Sequence, residues 1–227
     1  MIKITNVTKE YPRRGAALQD VSVEIPKGQF VFLTGHSGSG KSTTLRLLHM
    51  AETPTMGELR VSGFSSERTT RREIWKFRRR VGIVFQDFRL LPGRTALENV
   101  AFALEVTGTP KRLMEPAVER ALALVGLTEQ AKQRPDQLSG GEQQRTAIAR
   151  AMVHDPRLII ADEPTGNLDP LISWEIIQLL LRINEMGTTV LMATHDAEVV
   201  TALRRRVVAL EDGRVVRDEV GGYHREY

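Results

Sequence analysis

Eight residues near the N-terminus combine glycines, a lysine and a serine at a spacing that binds phosphate groups. They read Gly35, His36, Ser37, Gly38, Ser39, Gly40, Lys41 and Ser42, and they follow the apolar run at residues 30–33. Glycines let consecutive backbone N–H groups turn towards an anion, and the positive end of a following helix adds to the attraction. We expect Lys41 to reach the β and γ phosphates of a nucleotide, Ser42 to bind Mg²⁺, and Thr43 to lie near the α phosphate.

Two neighbouring carboxylates follow a second apolar run and could act on a metal ion and on water. Asp162 and Glu163 come directly after residues 158–161, at the carboxyl end of a predicted strand. Open α/β sheets bind their ligands at this edge. We expect Asp162 to hold Mg²⁺ through water and Glu163 to polarise the water that attacks the γ phosphate. The structural alternative is an ordinary turn, in which carboxylates are common.

A second glycine-containing segment at residues 138–143 reads Leu-Ser-Gly-Gly-Glu-Gln and precedes an apolar-periodic helix. Ser139 and Glu142 have the spacing of a capping box, which would give the segment a purely structural role. Capping does not account for Gly140 and Gly141, because glycine in a first turn weakens a helix unless its backbone must approach another group closely. A bare, positively polarised helix end would be a second phosphate site.

Short apolar runs and the helical patterns between them predict an α/β fold with a mainly parallel sheet flanked by helices. The predicted strands are residues 30–33, 81–85, 158–161, 189–193 and 207–210, and helices are predicted at residues 41–50, 142–153 and 171–184. Residues 1–24 instead alternate like an antiparallel, half-exposed sheet. Residues 86–157 lack a strand pattern but contain helical ones at 96–106 and 115–125. We therefore predict one domain, residues 1–227, with a helical subdomain inserted at about residues 87–157.

Length and composition limit the classes of function. The chain has 227 residues, 41% of them hydrophobic, which is enough for one packed α/β domain. A net charge of +4 is too small to indicate nucleic-acid binding. Cysteine is absent, which suits a reducing compartment such as the cytoplasm. The apolar runs are far shorter than the roughly 18 residues that span a bilayer, so a membrane role would need a separate partner.

Along the chain the phosphate loop comes first, then residues 138–143, then the acidic pair at 162–163; motifs in this order, over nearly the whole chain, resemble the ATP-binding-cassette (ABC) family. The resemblance implies a P-loop NTPase fold with a mainly parallel core sheet, an N-terminal antiparallel β-subdomain and an inserted α-helical subdomain. It also implies Mg²⁺-dependent ATP hydrolysis by a homodimer that forms in the ATP-bound state. In such a dimer the helix end at residues 139–142 of one chain closes over ATP held by the phosphate loop of the other.

The resemblance assigns roles to four further residues that have structural alternatives. Tyr11 matches the aromatic residue that stacks on adenine, although it would otherwise suit an edge strand. Gln86 matches the glutamine that contacts Mg²⁺ and the attacking water. Asp169 matches a loop residue at the dimer interface, and it also reads as a helix N-cap before a proline. His195 matches the histidine that contacts the γ phosphate, whereas a lone histidine after a strand is more often structural.

Short loops distinguish branches of the family. Residues 51–55, 86–91, 99–106 and 192–196 are similar to those of a branch that acts in cell division with an integral membrane protein. The resemblance implies a peripheral position on the cytoplasmic face of the membrane, with attachment through that partner. Lipoprotein-release and macrolide-export ATPases share most motifs, and a scaffold whose output is nucleotide-dependent dimerisation is a third interpretation. Apolar residues at 88–91 would either contact a coupling helix of the partner or belong to the helical subdomain core.

Overall fold

The computed structural model describes residues 1–12, 15–70 and 72–221, which form ten strands and seven α-helices. The strands are β1 (Ile2–Tyr11), β2 (Gly15–Ile25), β3 (Phe30–Thr34), β4 (Met56–Val61), β5 (Phe64–Ser65), β6 (Val81–Val84), β7 (Leu158–Asp162), β8 (Thr189–Ala193), β9 (Arg206–Glu211) and β10 (Arg214–Val220). The helices are α1 (Lys41–Leu48), α2 (Ile74–Arg78), α3 (Ala96–Val106), α4 (Lys111–Leu124), α5 (Gly140–Met152), α6 (Pro170–Glu185) and α7 (Ala197–Leu203).

The strands form two sheets, and the larger one carries the α/β core. Its spatial order is β10-β9-β3-β8-β7-β6, and every neighbouring pair is parallel except β9 with β10. The smaller sheet, β2-β1-β4-β5, is antiparallel throughout. The predicted fold class is therefore confirmed, including the antiparallel sheet at the N-terminus. Among the described residues, no helix is both long enough and apolar enough to cross a membrane.

Alternating side chains of the central strands supply two separate hydrophobic cores. Phe32 and Ile159 face a layer formed by α3, α4, α5, α6 and α7. Val31 and Ile160 face the opposite layer, formed by α1 and the antiparallel sheet. Since β3, β7 and β8 are buried on both faces, they read in the sequence as continuous apolar runs. This double packing fixes the carboxyl ends of these strands, from which the site residues extend.

Several element bounds differ from those predicted. Strand β8 and helix α3 have the predicted bounds, whereas the strand predicted at residues 81–85 ends at Val84. The helix predicted at residues 115–125 begins earlier, at Lys111, and contains Pro116. The helix predicted at residues 41–50 ends at Leu48. Between β6 and β7 the described chain forms α3, α4, a short 3₁₀ turn and α5 but no strand, in agreement with the helical patterns found there.

Candidate active site

An open cleft of about 1330 Å³ lies at the carboxyl ends of β3, β6, β7 and β8. It brings together residues that are far apart in the sequence. The predicted site residues lining it are Tyr11, Gly35, His36, Ser37, Gly38, Gly40, Lys41, Ser42, Thr43, Gln86, Asp162, Glu163 and His195. Ser39 is an exception, because its side chain is 1% exposed and does not line the cleft. The phosphate loop thus faces the two carboxylates across a single open cleft.

The phosphate loop ends at a helix whose N-terminus carries no capping side chain. Gly40 is the N-cap of α1 with φ of 105°, and a Cβ added there would lie 2.8 Å from the carbonyl oxygen of Ala17. No acidic residue occupies the first turn of α1. The N–H groups of that turn therefore need an acceptor from outside the helix, and a phosphate supplies one.

The Lys41 side chain folds over the phosphate loop, and its ammonium group donates hydrogen bonds to backbone oxygens. Its Nζ donates to the carbonyls of Gly35, at 2.5 Å, and His36, at 3.0 Å. Burial lowers the pKa of Lys41, and the nearby charges of Glu163 and Asp162 partly oppose this shift. A half-buried ammonium held by neutral carbonyls would gain from an anionic ligand, as expected for a phosphate-binding lysine.

Glu163 and His195 form the closest contact between two proposed catalytic groups. His195 Nδ1 lies 2.9 Å from Glu163 Oε1, which is hydrogen-bonding distance when Nδ1 carries a hydrogen. The His195 side chain is 74% exposed, whereas that of Glu163 is 15% exposed. Glu163 adopts φ of 45°, a strained value for a residue with a side chain, and its N–H donates to Ala193 O. The strained turn aims the carboxylate into the cleft beside the histidine.

Asp162, Ser42 and Gln86 offer the oxygen donors that Mg²⁺ prefers. Burial raises the pKa of Asp162, and the charge of Glu163 raises it further, while Arg89, Lys41 and Arg46 act in the opposite direction. A divalent cation would favour the ionised form of this carboxylate. In the described part of the chain no three acidic or histidine side chains cluster tightly enough to hold a metal by themselves. The donor set fits an ion that is shared with substrate phosphates.

Gln86 links the cleft to the loop that follows β7. Its backbone oxygen accepts a hydrogen bond from Asn167 Nδ2 at 3.0 Å, and its side-chain Nε2 reaches Asn167 Oδ1 at 3.5 Å. Two residues further on, Asp169 caps α6 by accepting from the N–H groups of Leu171 and Ile172, each at 3.1 Å. The predicted capping role of Asp169 is therefore observed, while its role at a dimer interface stays a prediction.

The helix end at Ser139 lies outside the cleft of its own chain, and of the two alternatives that the sequence left open, a capping box or a bare helix end, it has the capping box. Glu142 Oε2 accepts from the Ser139 N–H and hydroxyl, both at 2.8 Å, and the Glu142 N–H donates back to Ser139 Oγ. Gly141 is buried, and a Cβ added there would lie 2.6 Å from Ile172 Cγ2 of α6. Close packing of two helices therefore accounts for Gly141, whereas Ser139 and Gly140 are exposed.

Sequence reasoning missed the roles of two polar residues at the site. Arg46 lines the cleft and lies four residues after Ser42, so the helical repeat of α1 places both on one face. That spacing was a usable signal. Asn167 belongs to the same loop as Asp169, and its contact with Gln86 joins residues 81 positions apart. No local pattern of the sequence indicates such a contact.

Comparison with known proteins identifies the class. A sequence profile described as ABC transporter matches residues 18–166. A solved dimeric structure of the ATP-binding cassette MJ0796, in a post-hydrolysis state bound to ADP and Pi, is similar with a TM-score of 0.86 and 40% identity. The similarity covers 97% of this chain and 98% of that chain. The chain belongs to the ABC transporter family and is an ATPase of the ABC type.

Within this family the chain is similar to curated cell-division proteins. The cell division ATP-binding protein FtsE of Mycobacterium tuberculosis is 55% identical over 225 residues, which cover 99% of this chain and 98% of the relative. The FtsE protein of Bacillus subtilis is 49% identical over 227 residues, which cover 100% of both. Both relatives therefore match this chain from end to end.

Proposed function

We propose that this chain is the ATP-hydrolysing subunit of a membrane complex that acts in cell division. The observation that carries the proposal is the cleft in which Lys41 faces the Glu163 and His195 pair. The names of the FtsE relatives support the cell-division setting. The membrane partner would be an FtsX-like integral protein, and the chain would lie on the cytoplasmic face of the membrane through that partner.

Each proposed catalytic residue acts on the terminal phosphate or on the water that attacks it. Glu163 accepts a proton from the attacking water. The water oxygen forms a bond to the γ phosphorus while the bond between that phosphorus and the ADP oxygen breaks. Lys41 and the first turn of α1 stabilise the charge on the phosphate oxygens. His195 holds the Glu163 carboxylate in place and contacts the γ phosphate. Ser42, Gln86 and Asp162 would hold Mg²⁺ together with the phosphates, and the ion would neutralise part of the phosphate charge.

The functional unit of the proposal is a homodimer with two composite sites. Ser139 and Gly140 are exposed and lie outside the cleft of their own chain, so they are free to approach a nucleotide held by a second copy. The dimeric state of the similar cassette MJ0796 supports this arrangement. Asp169, close to the Gln86 and Asn167 contact, would then lie between the two chains.

The substitution Glu163→Gln tests the catalytic assignment. Removing the base should lower steady-state ATP hydrolysis by at least about a hundredfold, because a positioned general base contributes roughly 10²- to 10⁴-fold. Mg²⁺ and ATP should then trap a dimer, measured by size-exclusion chromatography with light scattering. Glu219→Gln, which neutralises an exposed carboxylate outside the cleft, is the matched control and should keep wild-type turnover. Wild-type turnover by Glu163→Gln, or full turnover by a monomer, would refute the assignment.

Purification of the chain from membranes tests the setting. Recovery of an FtsX-like protein would support cell division, whereas recovery of a transporter permease would move the chain to the exporter or lipoprotein-release branch. The ATPase rate is then measured with the recovered partner present. Negligible turnover under that condition would identify a nucleotide-gated scaffold instead.

A further inference from the structure

A charged cluster behind the cleft holds Tyr11, the residue proposed to stack on the nucleotide base. The Tyr11 hydroxyl donates to Glu52 Oε2 at 2.6 Å. The same oxygen lies 3.4 Å from Lys9 Nζ, and Glu52 Oε1 lies 3.6 Å from an Arg46 nitrogen. Glu52 itself does not line the cleft. One carboxylate therefore joins an aromatic residue and two cations from different elements.

Glu52 is tied to the helix that follows the phosphate loop. It lies four residues after the end of α1, and its backbone N–H donates to Arg46 O at 3.3 Å. Tyr11 is the last residue of β1, which belongs to the smaller, antiparallel sheet. The hydrogen bond from Tyr11 to Glu52 therefore sets the position of the ring relative to α1, and so relative to the phosphate loop.

Lys9 completes the cluster on one face of the ring. Its Nζ lies 5.2 Å from the centroid of the Tyr11 ring and donates to Thr53 O at 2.9 Å. A nucleotide base in the cleft would use the opposite face. Desolvation of Glu52 is outweighed by hydrogen bonds from Tyr11 and Lys9 and by the charges of Lys9 and Arg46, which together hold its pKa below the ordinary value. The carboxylate is thus ionised and fully engaged at neutral pH.

We propose that Glu52 is a positioning residue for nucleotide binding. It holds the Tyr11 ring where the ring can stack on the base of a nucleotide whose phosphates are bound by the loop before α1. The proposal rests on the proposed function, because it requires ATP in the cleft with its base on Tyr11. In this proposal Glu52 supports affinity through the Tyr11 ring, so its removal should weaken binding only of ligands that carry a base.

The test compares ATP with inorganic triphosphate, which has the phosphates but no base. Dissociation constants for both ligands with Mg²⁺ are measured by calorimetry for the wild type, Glu52→Ala, Tyr11→Phe and the double variant. Each single change should weaken ATP binding about threefold to tenfold, because each removes the charge-assisted hydrogen bond that holds the ring on which the base stacks. Triphosphate binding should weaken by no more than about twofold in any variant. The double variant should bind ATP no more weakly than Glu52→Ala, because both changes remove the same contact.

Glu58→Ala is the matched control, since it removes an exposed carboxylate of the same antiparallel sheet that pairs with Arg60 away from the cleft. It should bind both ligands like the wild type. An equal loss of ATP and triphosphate binding in Glu52→Ala, or wild-type ATP binding in Tyr11→Phe, would overturn the positioning role. Tyr11→Phe loses only a hydroxyl, so it decides the question even where Glu52→Ala folds poorly. Failure of the wild type to bind ATP would instead refute the proposed function.

Discussion

Asn99 organises the segment between the Gln86 loop and α3, and its replacement by alanine gives a sharp prediction about stability. The residue is 0% exposed and lies in the first turn of α3. Its Nδ2 donates to the carbonyls of Leu91, Arg94 and Thr95 at 3.0–3.2 Å, and its Oδ1 accepts from the Leu91 N–H at 2.7 Å. One side chain therefore closes the loop at residues 91–95, next to the apolar residues 88–91 that were expected to contact a membrane partner or to belong to the helical subdomain core.

The cost of Asn99→Ala follows from counting which backbone groups keep a partner. Leu91 O also accepts from the Arg94 N–H, and Thr95 O also accepts from the Asn99 N–H. The Leu91 N–H and Arg94 O would lose the partner that the side chain supplies. Each orphaned, half-buried group costs roughly 1–1.5 kcal/mol, and the better helix propensity of alanine returns about 0.5 kcal/mol. The expected loss in the free energy of unfolding is therefore about 2 kcal/mol.

Urea unfolding followed by circular dichroism measures this loss directly. Glu105→Ala is the matched control, because it lies on the same helix and removes an exposed ion pair to Arg94, 3.0 Å long. That change should cost no more than about 0.5 kcal/mol. A loss below about 1 kcal/mol for Asn99→Ala, or one equal to that of the control, would show that water replaces the amide and would refute the reasoning.

Two further predictions concern the helix that begins after Ser139. Gly141→Ala should lower the free energy of unfolding by about 1–2 kcal/mol, because the new methyl group would lie 2.6 Å from Ile172 Cγ2. Adding Ile172→Ala to the same chain should restore most of the lost stability, as measured by urea unfolding. Hydrogen bonds from the Ser139 N–H and hydroxyl lower the pKa of Glu142 from its ordinary value of 4.5. Stability from that lowered pKa is present above pH 4.5 and disappears as the pH falls through the folded value, so urea unfolding of Glu142→Gln should show a deficit at pH 7 that closes below pH 4.5. A deficit independent of pH would contradict this.

The strands and helices that were predicted are those with a dense apolar pattern. All five residues of β8 are buried, and α3 begins at a Thr95 capping box, so local sequence defines both. Strand β4 was missed because Leu59 and Val61 are its only fully buried residues and it contains Gly57. It exists because it pairs with β1, about fifty residues earlier in the chain. Helices α2 and α7 were also missed, since each is a single short segment with one or two buried side chains.

The site was predictable to the extent that its residues lie in local motifs. The phosphate loop and the acidic pair each consist of consecutive residues, and each lies at the carboxyl end of a strand of the central sheet. The contacts that orient them are not local. His195 reaches Glu163 from the end of the neighbouring strand, and Glu52 reaches Tyr11 from the loop between α1 and β4. A single sequence shows which residues are present, but it does not show which of their side chains come into contact.

The ends of α1 and α5 differ in a way that bears on how two chains could close over ATP. The first turn of α1 has neither a capping side chain nor an acidic residue, so its N–H groups can donate to a bound anion. At α5 the Ser139 hydroxyl already donates to Glu142 at 2.8 Å. The capping box uses the Glu142 N–H, whereas the N–H groups of Gly140 and Gly141 have no partner within the helix. A phosphate arriving from a second chain would therefore meet backbone donors first, and Ser139 could bind it only by releasing Glu142.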